Sequence, residues 1–205
     1  MVLASFLAAH TSSAQVRVRT AAVLVAWGAL VLAGCASAPA GKVSALSPGT
    51  TVFTPASAPR APQVTGELLG GGRLRLASYR GHVVVLNFWG SWCTVCREEA
   101  PALSAAAQRM RTSAVQFVGV DVADGAASAE AFMRNFRIKY PSLFDPGDKI
   151  ALSFNRIIPV SAFPSTLIIS PAGRIIVRII GAVSARNLGK LIKAALRHPT
   201  QSSSG

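Results

Sequence analysis

Apolar and polar positions are distributed along this chain in three textures. Residues 21–33 (AAVLVAWGALVLA) form one unbroken apolar run, with Arg17 and Arg19 just ahead of it. A membrane-spanning helix needs about 20 such residues, whereas the apolar core of an export signal needs roughly 7–15. The run therefore predicts an export signal over residues 1–34. Residues 36–62 have no period at all, and Pro39, Pro48, Pro55, Pro59 and Pro62 recur among Ala, Ser and Thr. That texture predicts an extended, disordered tether, with a slender arm packed on the domain as the alternative.

From Gln63 onward the pattern is that of a folded domain. Leu74 and Leu76 alternate with Arg73 and Arg75, and a Gly70-Gly71-Gly72 turn separates them from Glu67-Leu68-Leu69, which predicts a hairpin. Residues 83–88 (VVVLNF) do not alternate, so they predict a strand covered on both faces. A helix opens near Cys93 and passes Pro101, which removes one helical hydrogen bond and predicts a bend. Val115–Val120 predicts the next buried strand and residues 128–136 a helix. Residues 140–144 predict a short strand, closed by a turn at Asp145-Pro146-Gly147. Residues 166–170 and 175–180 flank Pro171-Ala172-Gly173 as an antiparallel hairpin, and residues 184–197 predict a final helix. The whole is an α/β domain over residues 63–198, with a polar tail over 199–205.

The chemistry lies where the first buried strand meets its helix. Cys93 falls where unsatisfied backbone N–H groups and the positive end of the macrodipole converge, an environment that favours thiolate. Cys96 lies one turn along the same face, close enough to close a small disulfide ring. Zinc uses the same C-x-x-C spacing but needs about four ligands. The remaining Cys35, His10, His82 and His198 are scattered and have no such grouping. A thiol-disulfide redox site, with no metal and no external cofactor, is the reading that the strand-turn-helix context supports.

The segment Asn87-Phe88-Trp89-Gly90-Ser91-Trp92-Cys93-Thr94-Val95-Cys96-Arg97-Glu98-Glu99-Ala100-Pro101 resembles the signature of the TlpA/ResA family of membrane-anchored thiol-disulfide oxidoreductases. The likeness extends over roughly residues 60–197, through Tyr79-Arg80-Gly81-His82, Val118-Gly119-Val120-Asp121 and Phe163-Pro164-Ser165-Thr166. It implies a thioredoxin-like fold: a central mixed sheet flanked by helices, with an N-terminal hairpin extension and a central helix-strand insertion. It implies that Cys93 and Cys96 are catalytic, with Trp92 beside them in support. Pro164 corresponds to the family's cis-proline, whose neighbouring backbone pairs with an extended client segment. Asn87 stands where cytoplasmic thioredoxins carry a buried Asp, and Glu99 is the family's substitute for that proton acceptor. The dipeptide Thr94-Val95 departs from the family, which usually has proline before the second cysteine.

Leu32-Ala33-Gly34-Cys35 resembles the bacterial lipoprotein processing box, which implies cleavage before Cys35 and a lipid on its sulfur. The domain is then expected on the extracytoplasmic side of the bacterial cell membrane, held by lipid, in a compartment where disulfides persist. The implied partners are exported client proteins with disulfides, apocytochrome c among them, and a membrane thiol electron carrier. A reductase of the cytochrome c biogenesis type is the leading expectation, and an exported disulfide oxidase is the alternative. A thiol peroxidase fits less well, because Trp89-Gly90-Ser91-Trp92 lacks the usual pattern before a peroxidatic cysteine. A copper-delivery module needs a wider C-x-x-x-C.

Charge adds one feature. Lys and Arg number 21 against 8 acids, a formal net charge of +13. Export argues against nucleic acid as the reason. Arg186, Lys190, Lys193 and Arg197 form a narrow stripe on the last helix, opposite Leu188, Leu191, Ile192 and Ala195. It reads either as a solvated face or as one drawn to an anionic membrane surface.

Overall fold

A computed structural model describes residues 48–110 and 114–197. The expected export signal over residues 1–34, Cys35 and the expected tail over 199–205 lie outside the described residues. Among the described residues, no helix is long and apolar enough to cross a membrane.

The strand over the unalternating run, β4 (Val83–Trp89), has all seven residues buried. It lies inside a six-stranded mixed sheet, which is why it needs no polar face. β5 (Val115–Val122) runs parallel to β4 on one side, and β6 (Ser142–Asp145) runs parallel to β5. On the other side come β7 (Ser165–Ile169), β8 (Ile175–Ile180) and the short β1 (Thr50–Val52), each antiparallel to its neighbour. The order across the sheet is β1-β8-β7-β4-β5-β6.

Alternate residues of β4 enter two separate cores. Val83, Val85 and Trp89 pack with α1 (Thr94–Arg109), α2 (Ala126–Asn135) and α4 (Ala185–Arg197), through residues such as Leu103, Phe132 and Ile192. Val84, Leu86 and Phe88 pack with Ile150 and Ala151 of α3 (Lys149–Ser153) and with Leu74 of the hairpin β2 (Thr65–Glu67) and β3 (Arg73–Arg75). The hairpin is the expected N-terminal extension, and α2–β6 is the expected insertion. α1 runs through Pro101 without interruption.

Two differences from the sequence reading have clear causes. Residues 50–62, expected within the disordered tether, lie on the domain. Thr50, Thr51 and Val52 pair with Ile179, Arg178 and Val177. Further on, Ile175 N–H donates to the Pro59 carbonyl (2.8 Å) and Ala61 N–H to that of Gly173 (2.9 Å). Ala58 and Ala61 are buried. Backbone pairing at a sheet edge and small buried side chains carry this arm, and neither produces a hydrophobic period. The second difference is α3, which follows the Asp145 turn. Both carboxylate oxygens of Asp145 accept from its first turn, from Ile150 N (3.1 Å) and Ala151 N (2.8 Å). A capping carboxylate placed four and more residues upstream hides behind the turn signal.

Candidate active site

Cys93 caps α1. Its φ of −84° and ψ of 113° are extended, and the helix begins at Thr94. Cys93 and Cys96 form a disulfide, with their Cα atoms 5.2 Å apart. The Cys96 amide points at Cys93 Sγ at 3.1 Å, so the first turn of the helix aims a donor at the sulfur that would carry negative charge after reduction. Both cysteines are buried, Cys93 at 7% exposed and Cys96 at 2%.

The surface beside Cys93 is apolar. Trp92 is 53% exposed and meets Phe163 edge-on, with ring centroids 6.0 Å apart. The Phe163–Pro164 peptide bond is cis, as the resemblance implied. Phe163 also packs against the core cluster that contains Cys93 and Cys96. Trp92 is fixed by its indole N–H, which donates to the Val122 carbonyl (3.1 Å).

Glu99 is buried while Glu98 next to it is exposed. Its carboxylate is held at both oxygens. Val183 N–H donates to Oε1 (2.8 Å) and Asn87 Nδ2 donates to Oε2 (3.4 Å). Asn87 Nδ2 also donates to Thr166 Oγ1 (3.1 Å), tying β4, β7 and α1 together two residues after Pro164. Burial pushes the Glu99 carboxyl up to about 7, against the opposing effect of those two donors. At neutral pH it can therefore either hold or release a proton. Tyr140 is raised above its ordinary range by burial and then by the nearby Glu99 charge.

Sequence reasoning did not single out a second acidic group at the end of β5. Asp121 is fully buried, and neither carboxylate oxygen has a hydrogen-bond partner among the described residues. Burial pushes it up to about 8, reinforced by Asp124, through both its charge and a side-chain contact that favours the protonated form, and by the charge of Asp145. The available signal was an Asp closing an otherwise apolar strand. No group of three or more His, Cys, Asp or Glu side chains among the described residues is arranged to hold a metal ion.

A parallel-and-antiparallel sheet with a C-x-x-C disulfide at a helix N-terminus and a cis-proline defines a thioredoxin-like thiol-disulfide oxidoreductase. Residues 58–178 match the AhpC/TSA family, and the chain belongs to it. It is 28% identical over 124 residues to the thiol-disulfide oxidoreductase ResA of Bacillus subtilis, covering 60% of this chain and 67% of that protein. The ResA of Geobacillus kaustophilus is 29% identical over 126 residues, 62% of this chain and 70% of that one. Among solved structures, a DsbF homologue from Corynebacterium diphtheriae is similar at a TM-score of 0.67 and 28% identity, covering 77% of this chain and 96% of that one. A secreted Mycobacterium tuberculosis disulfide oxidoreductase homologous to E. coli DsbE matches at a TM-score of 0.58 and 28% identity, covering 64% and 96%. The protein is thus a thiol-disulfide oxidoreductase of the ResA/DsbE type, an enzyme class that works through its cysteine pair without an external cofactor.

Proposed function

We propose that the protein is an extracytoplasmic reductase that exchanges disulfides with exported client proteins. The observation that carries the thiol exchange is the pairing of a helix-capping Cys93 with a buried carboxyl, Glu99, poised near pH 7. Cys93 thiolate attacks a client disulfide, forming a mixed disulfide and expelling one client thiolate. Glu99 carboxylate takes the Cys96 proton, and Cys96 thiolate then attacks Cys93 Sγ. The second client thiolate leaves, the Cys93–Cys96 disulfide forms, and two electrons have passed to the client. Trp92 and Phe163 present an apolar platform beside the attack site, and the backbone at Phe163 and Pro164 aligns an extended client segment.

A membrane thiol carrier would return the enzyme to its dithiol, and Cys35 would carry the lipid that keeps both partners at one membrane. The secreted disulfide oxidoreductase among the similar structures supports an extracytoplasmic setting. Apocytochrome c, whose haem-attachment cysteines must stay reduced, is the client class proposed first.

Trapping tests the order of attack and names the clients together. Cys96→Ser is expected to accumulate mixed disulfides as reducible high-mass bands, and Cys93→Ser to trap little. c-Type cytochrome precursors in the trap support the reductase, whereas a broad set of exported proteins supports an oxidase. Equal trapping by both variants would overturn the assignment of Cys93 as nucleophile. The reduction potential is a second arm. A value near roughly −270 mV fits a reductase and one towards about −120 mV an oxidase.

A further inference from the structure

The turn that presents Cys93 is gripped by its own helix and by a separate corner of the sheet. Its residues Gly90–Cys93 are closed by a Cys93 N–H bond to the Gly90 carbonyl (3.1 Å). Within it, the Ser91 backbone is held at both ends by charged side chains. Ser91 N–H donates to Asp124 Oδ2 at 2.6 Å, and Arg97 Nη1 donates to the Ser91 carbonyl at 3.2 Å. A charge-assisted bond this short is among the stronger kinds.

Asp124 does not reach the turn by chance of rotamer. Ala123, just before it, has a φ of 50°, a left-handed conformation that a residue with Cβ adopts at a cost. That conformation is pinned, since Ala123 N–H donates to the Asp145 carbonyl (3.2 Å) and Gly125 N–H donates to Asp124 Oδ1 (2.8 Å). The same β5–α2 corner supplies the Val122 carbonyl that holds the Trp92 indole. One corner of the fold thus holds two consecutive residues immediately before the reactive sulfur.

We propose that Asp124 is a positioning residue for thiol exchange, fixing the Ser91 main chain so that the α1 N-terminus stays aimed at Cys93 Sγ. This rests on the reading of Cys93 as the attacking thiol. The sign of the effect separates positioning from charge. A negative carboxylate near the turn by itself disfavours the Cys93 thiolate, so removing it purely as a charge would raise reactivity at neutral pH. Removing it as a grip frees the turn, weakens the alignment of the Cys96 amide with the sulfur, and lowers reactivity. Loss of the carboxylate also relieves the buried Asp121, an effect common to Asp124→Ala and Asp124→Asn, so the difference between those two variants reads the grip alone.

The test is iodoacetamide alkylation of Cys93 in the reduced full-length protein, followed against pH. In Asp124→Ala the midpoint is expected to move to higher pH and the rate at pH 7 to fall about tenfold, the scale of a small misplacement of reacting atoms. Asp124→Asn keeps an acceptor for Ser91 N–H and is expected to return to within about twofold of wild type. Asp124→Glu keeps the charge but displaces it by one methylene, and is expected to resemble the alanine variant. An unchanged midpoint, or a downward one, in Asp124→Ala overturns the proposal. If Asp124→Ala does not fold by circular dichroism, the Asn–Glu pair decides, and Glu matching wild type while Asn does not overturns it. Alkylation needs no client, so a wild type that alkylates normally yet reduces no client disulfide refutes the proposed function and leaves this test standing.

Discussion

The corner around Glu99 and the end of β5 around Asp121 bury the same functional group in opposite circumstances. Glu99 accepts from Val183 N–H and Asn87 Nδ2, and burial raises it only to about 7. Asp121 has no hydrogen-bond partner among the described residues, feels Asp124 and Asp145, and is raised to about 8. The donors on one side and the neighbouring carboxylates on the other explain the contrast. A carboxyl that receives two hydrogen bonds can stay partly ionised while buried, and so can exchange a proton during turnover. One that receives none is kept neutral, and it weighs on stability whenever solution pH demands its ionisation. Burial alone therefore does not mark a working acid or base; its donors do.

The sharpest way to break this contrast is Glu99→Gln. With the carboxylate gone, the proposed acceptor of the Cys96 proton is lost, and release of reduced client above pH 7 should slow by about 100-fold, the lower range for a lost general base. Wild-type rate should rise with pH through about 7, following ionisation of Glu99. In the variant that inflection should vanish. A stopped-flow pH profile of client release checks this. A profile with the inflection at pH 7 intact would remove Glu99 from proton transfer.

Asp121→Asn should act on stability rather than rate. The folded-state value lies above the ordinary one of 3.8, so ionisation opposes folding. The resulting loss is absent below about pH 4, grows as pH rises, and is complete above about pH 8. The Asn variant should be more stable than wild type at pH 8 by about 1–3 kcal/mol, less than the full linkage because its amide is also buried. The gain should shrink towards pH 4. Thermal melts at the two pH values measure it, and a gain independent of pH would contradict the sign.

Asn87→Ala should make Glu99 more like Asp121. Losing one donor raises the Glu99 value further, so the inflection in rate should move to higher pH, and the lost bonds should cost about 1–2 kcal/mol. Glu98→Gln is the smallest change expected. That side chain is exposed, so stability should stay within about 0.5 kcal/mol and the profile should not move.

What was legible from the sequence follows the same division. β4 could be read because seven buried residues in a covered strand leave an unalternating apolar run. Cys93 and Cys96 could be read because a helix N-terminus after such a strand has a recognisable composition. Glu99 could be placed by resemblance, but its two donors come from Asn87 and Val183, 12 and 84 positions away. Such partners leave no local pattern. Asp121 and Asp124 were hidden for a related reason. The role of Asp124 depends on the left-handed Ala123 and on a turn 33 positions upstream, and that of Asp121 on what buries it. The arm at residues 50–62 reads first as a tether, with the packed arm only as the alternative, because proline and alanine form no period, even when Ala58 and Ala61 are buried. Small side chains under a sheet edge look like linker.

The arm has a mechanical consequence. Tension applied through the N-terminal segment enters the described domain at Gly49 and Thr50, where Ile180 N–H donates to the Gly49 carbonyl and β1 pairs with β8. Arg178 braces the junction, donating to Thr51 Oγ1 (3.0 Å) and to the Ile157 carbonyl (2.9 Å). A Cβ on Gly49 would sit 2.3 Å from the Ile180 carbonyl oxygen, so the first link admits no larger residue without displacement. The load then falls on β8, with β7 between it and β4, which leads into the Cys93 turn. A pull strong enough to strip β1 would spend itself at that edge of the sheet, with β8 and β7 still standing between it and the strand that leads to the disulfide.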